Sequence, residues 1–435
     1  MLLSGCANGP KEHHVEWLEE HALELPTSLD DPLSSEIDGL FTAAAATYRY
    51  IALAEGDHYV DDKYAYRLAF LRRLVFEGGV RQIAMEIGGS DARRIDRFLE
   101  TGEEAWLGKV VLYGYSGDSE LERRELRPYS QAPANLCTRR FVSAEFGFWR
   151  SLHRLSMAAE AIDGRRIRLY GFDFDAKPGG GFQDARDALG PCTEEPTVTS
   201  VRAKLTPPRG SGGMAEVERL RALVTELRGA AGPIDGACGP GVAEHLAQTI
   251  DQLASSYWLA MERASIGEDP DALREHFNRR EGLMERRMAA LSERLAAAEK
   301  IVLFGHNLHL ARSTDLLRFG PPSRARPMWP SLGARLEAKA PGSMYVIWLL
   351  FAEGTRLQGG GGGCEPEAEV RLRDGSLEET LRAAGERYVV PLSDAPEGGL
   401  TDADFEFGTA TSFGGGILRG AVDAIVFLGH ARASR

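Results

Sequence analysis

The sequence predicts an α/β protein with a mostly parallel central sheet flanked by helices, and three observations predict it. The apolar runs Tyr50–Ala54 and Gln82–Met85 flank an amphipathic run, Asp61–Phe76, whose apolar residues Tyr66, Ala69, Phe70, Leu74 and Val75 recur at helical spacing. Gly78-Gly79 ends that helix, and a strand–helix–strand unit brings its two strands parallel. Met344–Phe351 is a continuous apolar run, the pattern of a strand buried on both faces. Finally, separate apolar runs all lead into acids or imidazoles. Tyr50–Ala54 leads into Glu55, Asp57 and His58, and Gln82–Met85 into Glu86. Arg166–Tyr170 leads into Asp173 and Asp175, and Lys300–Phe304 into His306 and His309. In an open α/β sheet such residues collect at the carboxyl edge, where ligands bind. One such loop residue is an ordinary polar group; the recurrence favours an active site.

The remaining elements follow in order. Residues 7–30 read as a polar tail with a short helix, His13-His14 exposed, and residues 34–46 as a helix leading into the first strand. Ser90 is a fitting N-cap for a helix that buries Ile95, Phe98 and Leu99. Residues 103–140 are irregular, and their apolar run Lys109–Tyr113 offers Tyr113 as a substrate-binding residue. Phe141–Ala158 is an aromatic-rich helix. The Gly, Pro, Thr and Arg content of 177–213 marks a long loop or insertion; Gly179–Gly181 lacks the ending of a phosphate loop. Helices follow over 214–230, 241–263 and 270–298, the last with Leu273, Phe277, Met284, Met288, Leu291 and Leu295 on one face. A helix is expected to run on from His309 to Arg318, a mobile loop at 358–363 and a final strand over 421–428, with His430 exposed. There are no internal repeats. The chain divides into a tail, 1–30, and one α/β domain, 31–435, with a loop and helical insertion at about 177–298.

The net charge of −13, with both signs mixed along the chain, argues against a nucleic-acid partner, which requires a basic face. No stretch of about 20 apolar residues is present to span a membrane. Leu3-Ser4-Gly5-Cys6 has the pattern of a bacterial lipid-attachment box, with Cys6 the acylated residue, though the charged and most of the apolar part of a signal is missing. The expectation is a periplasmic or membrane-anchored lipoprotein of the cell envelope, against a cytoplasmic alternative. The lipid anchor would be its one membrane contact, and the protein is expected to be a monomer. In an exported protein Cys137, Cys192, Cys238 and Cys364 can pair, and Cys192 with Cys238, which flank one variable segment, is the preferred pair. No Cys-x-x-Cys occurs, which disfavours a thiolate zinc site. No cysteine lies in the strand-end cluster to act as a nucleophile.

The strand-end motifs resemble those of the erythromycin esterases and their relatives. The matching pieces are Ala-Glu-Gly-Asp-His (54–58) with Arg67 beyond it, Ala-Met-Glu-Ile-Gly (84–88), Gly-Phe-Asp (171–173) and Phe-Gly-His-Asn-Leu-His-Leu-Ala-Arg (304–312). Weaker ones are Pro-Ser-Leu-Gly (330–333), 344–355 and 423–428. They occur in the family's order over roughly residues 40–430. One departure is Ala54, where the family usually has Gly. The resemblance implies ester hydrolysis, with macrolide lactones as the best-known substrates, and carries function to Glu55, His58, Arg67, Glu86, His306 and His309. Asp173 is added as a substrate-binding residue.

The residue types suit that chemistry. Hydrolysis by activated water needs a base near neutral pKa, which imidazole supplies, and a carboxylate to fix its tautomer. His58 is the leading base, with His306 as the alternative; Glu55 or Glu86 would orient it and Arg67 would steady a carboxylate or the oxyanion. The absence of Gly-x-Ser-x-Gly disfavours a serine nucleophile. Macrolide esterases are described without a required metal, and no cofactor is expected. The alternative is a divalent metal such as zinc on His58, His306 and His309, with Glu55 or Glu86 beside them. A further alternative is a surface-anchored binding protein with no turnover. Asp57, Asp61 and Asp62 suit the N-terminus of the next helix, and Glu86 could simply pair with Arg67 or Arg81.

Overall fold

A computed structural model describes residues 11–28, 31–58, 60–107, 136–174, 179–192, 195–207, 213–267, 269–320, 324–356, 368–408 and 414–432. Two compact units emerge. The first comprises Met1–Ala84, Ala134–Arg168 and Glu281–Arg435, and the second Met85–Pro133 and Leu169–Arg280.

The first unit is built on the predicted sheet. Its strands are β1 (Leu23–Glu24), β2 (Tyr50–Glu55), β3 (Gln82–Gly88, of which Gln82–Ala84 lie in this unit), β5 (Ile301–His306), β8 (Met344–Arg356), β9 (Ala368–Val370), β10 (Arg387–Pro391) and β13 (Ala424–Ala431). β4 (Arg168–Asp173) lies in the second unit but for Arg168. The order in the first unit is β1-β10-β13-β8-β2-β5-β3, with β9 on β8. The centre is parallel: β2 pairs in parallel with β5 and β8, and β13 with β8, while β1, β9 and β10 add antiparallel edges. Every residue of β2 and β5 is buried, as their apolar runs require. Ala54 lies opposite Gly305 and Trp348 in the ladder. The extra methyl at the position where a glycine is usual therefore faces a glycine on one side.

The Asp62–Phe76 helix follows β2 and buries Tyr66, Ala69, Phe70, Leu74 and Val75 as their spacing predicts. Asp62 stands in its first turn, favourable to the helix dipole, and Gly79 takes φ +68° beyond its end. Its buried face also includes Lys63 and Arg67. The Leu136–Asp163 helix packs on it, with the Phe148 ring 5.4 Å from Tyr64 and 6.1 Å from Phe304 of β5. A separate antiparallel sheet runs β11-β12-β6-β7, from β6 (Leu317–Phe319), β7 (Arg326–Pro327), β11 (Asp404–Phe407) and β12 (Gly414–Ile417).

The second unit holds the end of β3 with β4 beside it, and helices. At Gly171 of β4 a side chain would strike Ile87 and Gly88 carbonyl oxygens at 2.5 and 2.6 Å, so only glycine fits that approach. Helices Gly179–Ala188, Pro196–Lys204, Met214–Gly229, Ala231–Cys238 and Val242–Ser265 share a core that includes Phe182, Leu189, Val198, Leu220, Leu246 and Ile250. Cys192 and Cys238 are bonded across this core with Cα atoms 5.1 Å apart, the pairing expected of an exported chain.

Several expectations are corrected. The stretch 177–213 is not one long loop: it contains the Gly179–Ala188 and Pro196–Lys204 helices, the second capped by Glu195 through the Val198 N–H. Gly179, Gly180 and Pro196 sit at helix starts rather than replacing helices. After His309 the helix stops at Leu310 and the chain turns into β6. Gly88, not Ser90, caps the Gly89–Thr101 helix, and Ser90 is buried inside it. His14 is buried, packed 5.8 Å from the Phe405 ring, while His430 is exposed. Leu23–Glu24, read as tail, pairs with β10. The loop expected at 358–363 lies outside the described residues.

Candidate active site

In the first unit, Glu55 ends β2 and lies directly opposite His306, which ends β5. The parallel register thus turns two distant motifs into neighbours. The chain leaves β2 through Gly56, whose N–H continues the ladder to Leu349 O at 3.1 Å, and turns to place His58 back against Glu55. The separation of His58 Nδ1 from Glu55 Oε1 is 2.6 Å. Oε2 of the same carboxylate meets Lys63 Nζ at 3.0 Å and Arg67 Nη1 at 2.8 Å, as ion pairs whose angles fall outside hydrogen-bond geometry. Lys63 also donates to the His58 carbonyl, and Arg67 to Leu53 O at 3.3 Å. The Arg67 guanidinium lies 4.7 Å from the centre of the Phe304 ring.

Burial by itself would raise the Glu55 carboxyl, but Arg67, then Lys63, then the His58 hydrogen bond hold it well below its usual range. An ionised Glu55 accepts the Nδ1–H of His58, so the basic nitrogen of the neutral ring is Nε2. Side-chain exposure picks out the reactive member: His58 is 22% exposed, whereas Glu55, Lys63 and Arg67 are 2–4% exposed.

His306 is held differently. Its Nδ1 accepts the Leu308 N–H at 3.2 Å, capping the Asn307–Leu310 turn, so that nitrogen carries no proton. Its Nε2 then carries the proton and donates it to Gly56 O at 3.2 Å. His306 is thereby committed to the backbone on both sides, which weakens it as the alternative base. Its ring centre lies 5.3 Å from that of His58 and 6.2 Å from that of His309. His309 Nδ1 bonds to Glu281 Oε1. Glu281, fully buried, also accepts from Trp329 Nε1 at 3.1 Å and the Leu332 N–H at 2.7 Å. The site therefore has two carboxylate–imidazole pairs, Glu55–His58 and Glu281–His309, and His306 neighbours the imidazole of each.

In the second unit, Arg280 joins Glu86, at 3.3 Å, to Asp173. The partner of Glu86 is thus neither Arg67, which binds Glu55, nor Arg81, which binds Asp163 and three carbonyls. Asp57 is not at the helix N-terminus: its buried carboxylate pairs with Arg356 at 2.9 Å. Tyr113 and Cys6 lie outside the described residues.

Among the described residues no group of three His, Cys, Asp or Glu side chains converges to hold a metal ion. His58, His306 and His309 are neighbours, but His306 spends both nitrogens on the backbone, so the alternative zinc set does not fit as a first coordination shell.

Sequence reasoning missed Lys63, Glu145, Arg280 and Glu281. Two left a signal. Glu281 falls on the apolar stripe between Phe277 and Met284, and Glu145 between Phe141 and Phe148. A carboxylate at helical spacing inside an apolar stripe must be buried, and so must find a partner or keep a proton.

No curated protein sequence matches the chain. Among solved structures, a Bacillus cereus protein matches with 13% identity and a TM-score of 0.65, covering 97% of each chain. A succinoglycan biosynthesis protein matches with 14% identity and a TM-score of 0.66, over 99% of this chain and 100% of that one. A histidine-to-asparagine mutant of erythromycin esterase EreC in its open conformation matches with 16% identity and a TM-score of 0.62, over 95% and 98%. At these identities the three likenesses speak to the fold. The family profile for erythromycin esterase matches residues 75–412, a stretch that holds Glu86, Asp173, His306 and His309 and begins after Glu55, His58 and Arg67. Covering more than half of the chain, this match, with the fold shared by EreC, places the protein in the erythromycin esterase family of esterase-like hydrolases.

Proposed function

We propose that the protein hydrolyses a carboxylic ester or lactone by water that His58 activates. The observation that carries this reading is the Glu55–His58 pair at 2.6 Å, the partly exposed imidazole of an otherwise buried charge cluster. Glu55 fixes the tautomer, and Lys63 and Arg67 keep Glu55 ionised. His58 Nε2 takes a proton as water attacks the ester carbonyl, and returns it to the departing alkoxide. His309, oriented by Glu281, is the second imidazole available for that return. The reading needs no resident metal; retained activity after exhaustive chelation supports it, and loss restored by zinc overturns it.

A macrolide lactone is the first substrate to test, because the family profile bears that name. The experiment incubates purified protein with a macrolide and with a panel of esters and lactones, and looks for the water-added product by mass spectrometry. His58→Ala should fall by ~10²–10⁴-fold with its circular dichroism unchanged. Turnover that survives this change removes His58 from the chemistry, and silence across the panel removes the hydrolase reading in favour of a binding protein.

We further propose that the protein works as a monomer in the cell envelope, anchored by a lipid on Cys6. The Cys192–Cys238 bond and the Leu3-Ser4-Gly5-Cys6 pattern support this. Palmitate labelling in cells that is lost in Cys6→Ala tests the anchor, and light scattering tests the oligomeric state.

A further inference from the structure

The segment that carries His58 is tied down by strands far away in the sequence. Gly56 is fixed through its main chain: its N–H bonds to Leu349 O at 3.1 Å, and its carbonyl accepts the His306 Nε2–H at 3.2 Å. The next residue, Asp57, is fixed through its side chain. Its carboxylate is fully buried and accepts from Arg356 Nη1 at 2.9 Å. Arg356 closes β8, and its main chain pairs there with Ala368 of β9, so the guanidinium is presented from a laddered strand end. The start of the next helix is held by the chain leaving β13. The Asp61 N–H bonds to Arg432 O at 2.9 Å, and the Arg432 N–H to Asp62 Oδ2 at 2.6 Å. β8 and β13 converge just before these contacts. Gly354 lies opposite Ala431 with φ +134°, and a side chain there would run into Ala431 O, so only glycine allows the approach. Two converging strand ends thus brace both ends of the connection from β2 to the Asp62–Phe76 helix.

We infer that Arg356 is a positioning residue of the hydrolase site, and that its bond to Asp57 sets the turn that returns His58 to Glu55. This deepens the reading of His58 as the base and rests on it. A buried ion pair is a poor source of stability, because desolvation cancels much of the attraction, and apolar side chains of the same volume often serve a fold as well. What such a pair does supply is register. A charge-assisted hydrogen bond fixes distance and direction, and any other placement leaves a buried charge unpaired. The sheet needs no such tie here, since β2 is already joined to β5 and β8 by continuous ladders. The register at stake is that of the residue after Asp57. His58 must stand with Nδ1 2.6 Å from Glu55 Oε1 for the carboxylate to fix its tautomer. The Lys63 bond to the His58 carbonyl restrains the chain on the far side of the ring, and the Arg356 bond to Asp57 restrains it on the near side. Arg356 does not contact the reacting atoms; it acts through Asp57 and the peptide that joins Asp57 to His58.

Three variants test this. Asp57→Glu keeps both charges but adds a methylene between the turn and the guanidinium. Arg356→Lys keeps the charge without the planar fork. Asp57→Asn combined with Arg356→Met removes the pair without leaving a charge unpartnered. Each is read in two ways. In ¹⁵N-histidine protein the His58 Nδ1–H bonded to Glu55 should give a low-field proton signal, assigned by its loss in His58→Ala. The wild type should show it, and Asp57→Glu and the neutral pair should shift or lose it. On 4-nitrophenyl acetate and on a macrolide, kcat should fall ~10–100-fold in those two proteins with KM changed by less than about twofold, and Arg356→Lys should keep part of what the neutral pair loses. A pair that served stability alone would move the melting temperature and leave signal and kcat in place, and that result overturns the inference. So does an unchanged signal in Asp57→Glu. Absence of the signal from the wild type removes the Glu55–His58 bond and the inference with it. A wild type that shows the signal but hydrolyses no ester would refute the hydrolase reading, and the signal in Asp57→Glu would still decide the role of Arg356. If the neutral pair does not fold, Asp57→Glu and Arg356→Lys, which keep both charges, carry the decision.

Discussion

Buried charges decide the behaviour of this site residue by residue. Glu55 has compensation from three groups and Glu281 from an imidazole, an indole and a backbone N–H, whereas at Glu145 burial prevails and raises the carboxyl. Removing a partner from a buried carboxylate exposes its desolvation cost, so Arg67→Met should destabilise the protein by ~3 kcal/mol, read as a lowered urea midpoint. Glu281→Gln tests orientation rather than burial. His309 would lose its carboxylate partner, and activity should fall ~10–100-fold with little change in melting temperature. The titratable positions were legible where an apolar strand ran into them, as at Glu55, His58, Glu86 and His306. Lys63 and Arg280 were not, because a long cation on a helix normally extends into water, and only the fold shows Lys63 buried and Arg280 turned towards Glu86 and Asp173. His14 failed for the same reason in reverse: a polar flank predicted exposure, but packing against Phe405 closes over it.

Among the elements, the parallel strands and the long helices were readable because their local pattern and their final environment agree. The β11-β12-β6-β7 sheet was not. β12 reads Gly-Gly-Gly-Ile, which by propensity is a loop. Yet Gly416 takes φ +130°, and a side chain there would lie 2.1 Å from Leu316 O, so that glycine permits the pairing. Strands of two to four residues hold only through partners far away in sequence, which no local window registers. The second unit is secured by a covalent tie. The Cys192–Cys238 bond spans a sequence separation of 46, and closing such a loop in the unfolded chain contributes about 4 kcal/mol in the chain-entropy model. Reduction, or Cys192→Ala with Cys238→Ala, should therefore increase hydrogen exchange in helices 196–204, 214–229 and 242–265 before the first unit's strands respond.

For the molecule as a whole, three of the shifted groups, His14, Glu55 and Glu145, predict a stability profile across pH. His14, lowered to about 4 chiefly by burial, contributes fully above about 6.5 and loses that contribution as pH falls towards 4. Glu55, held down by its cations, contributes above about 4.5 and loses that contribution on further acidification. Glu145, held up, acts in the opposite sense: its contribution declines as pH rises from about 4.5 to about 8. Taken together, these groups place the highest melting temperature between pH 4.5 and 6.5, with a decline towards pH 8. Glu145→Gln should flatten that decline, and His14→Leu should soften the fall on the acid side. Scanning calorimetry of the three proteins across pH checks both, and a wild-type profile that rises from pH 6.5 to 8 would contradict the assignment of a proton to Glu145.

The two bonds made by His306 give that residue a grammar of its own. As a neutral ring it accepts at Nδ1 and donates at Nε2, and the turn that presents His309 depends on the first of these. A proton on Nδ1 would set two N–H groups face to face, so His306 cannot take up the proton of the attacking water without letting go of the turn beside it. Folding asks this position for a short acceptor, which asparagine also offers and offers better. His306→Asn therefore isolates that demand: the turn should hold, and any change in turnover would then belong to the imidazole and not to the turn.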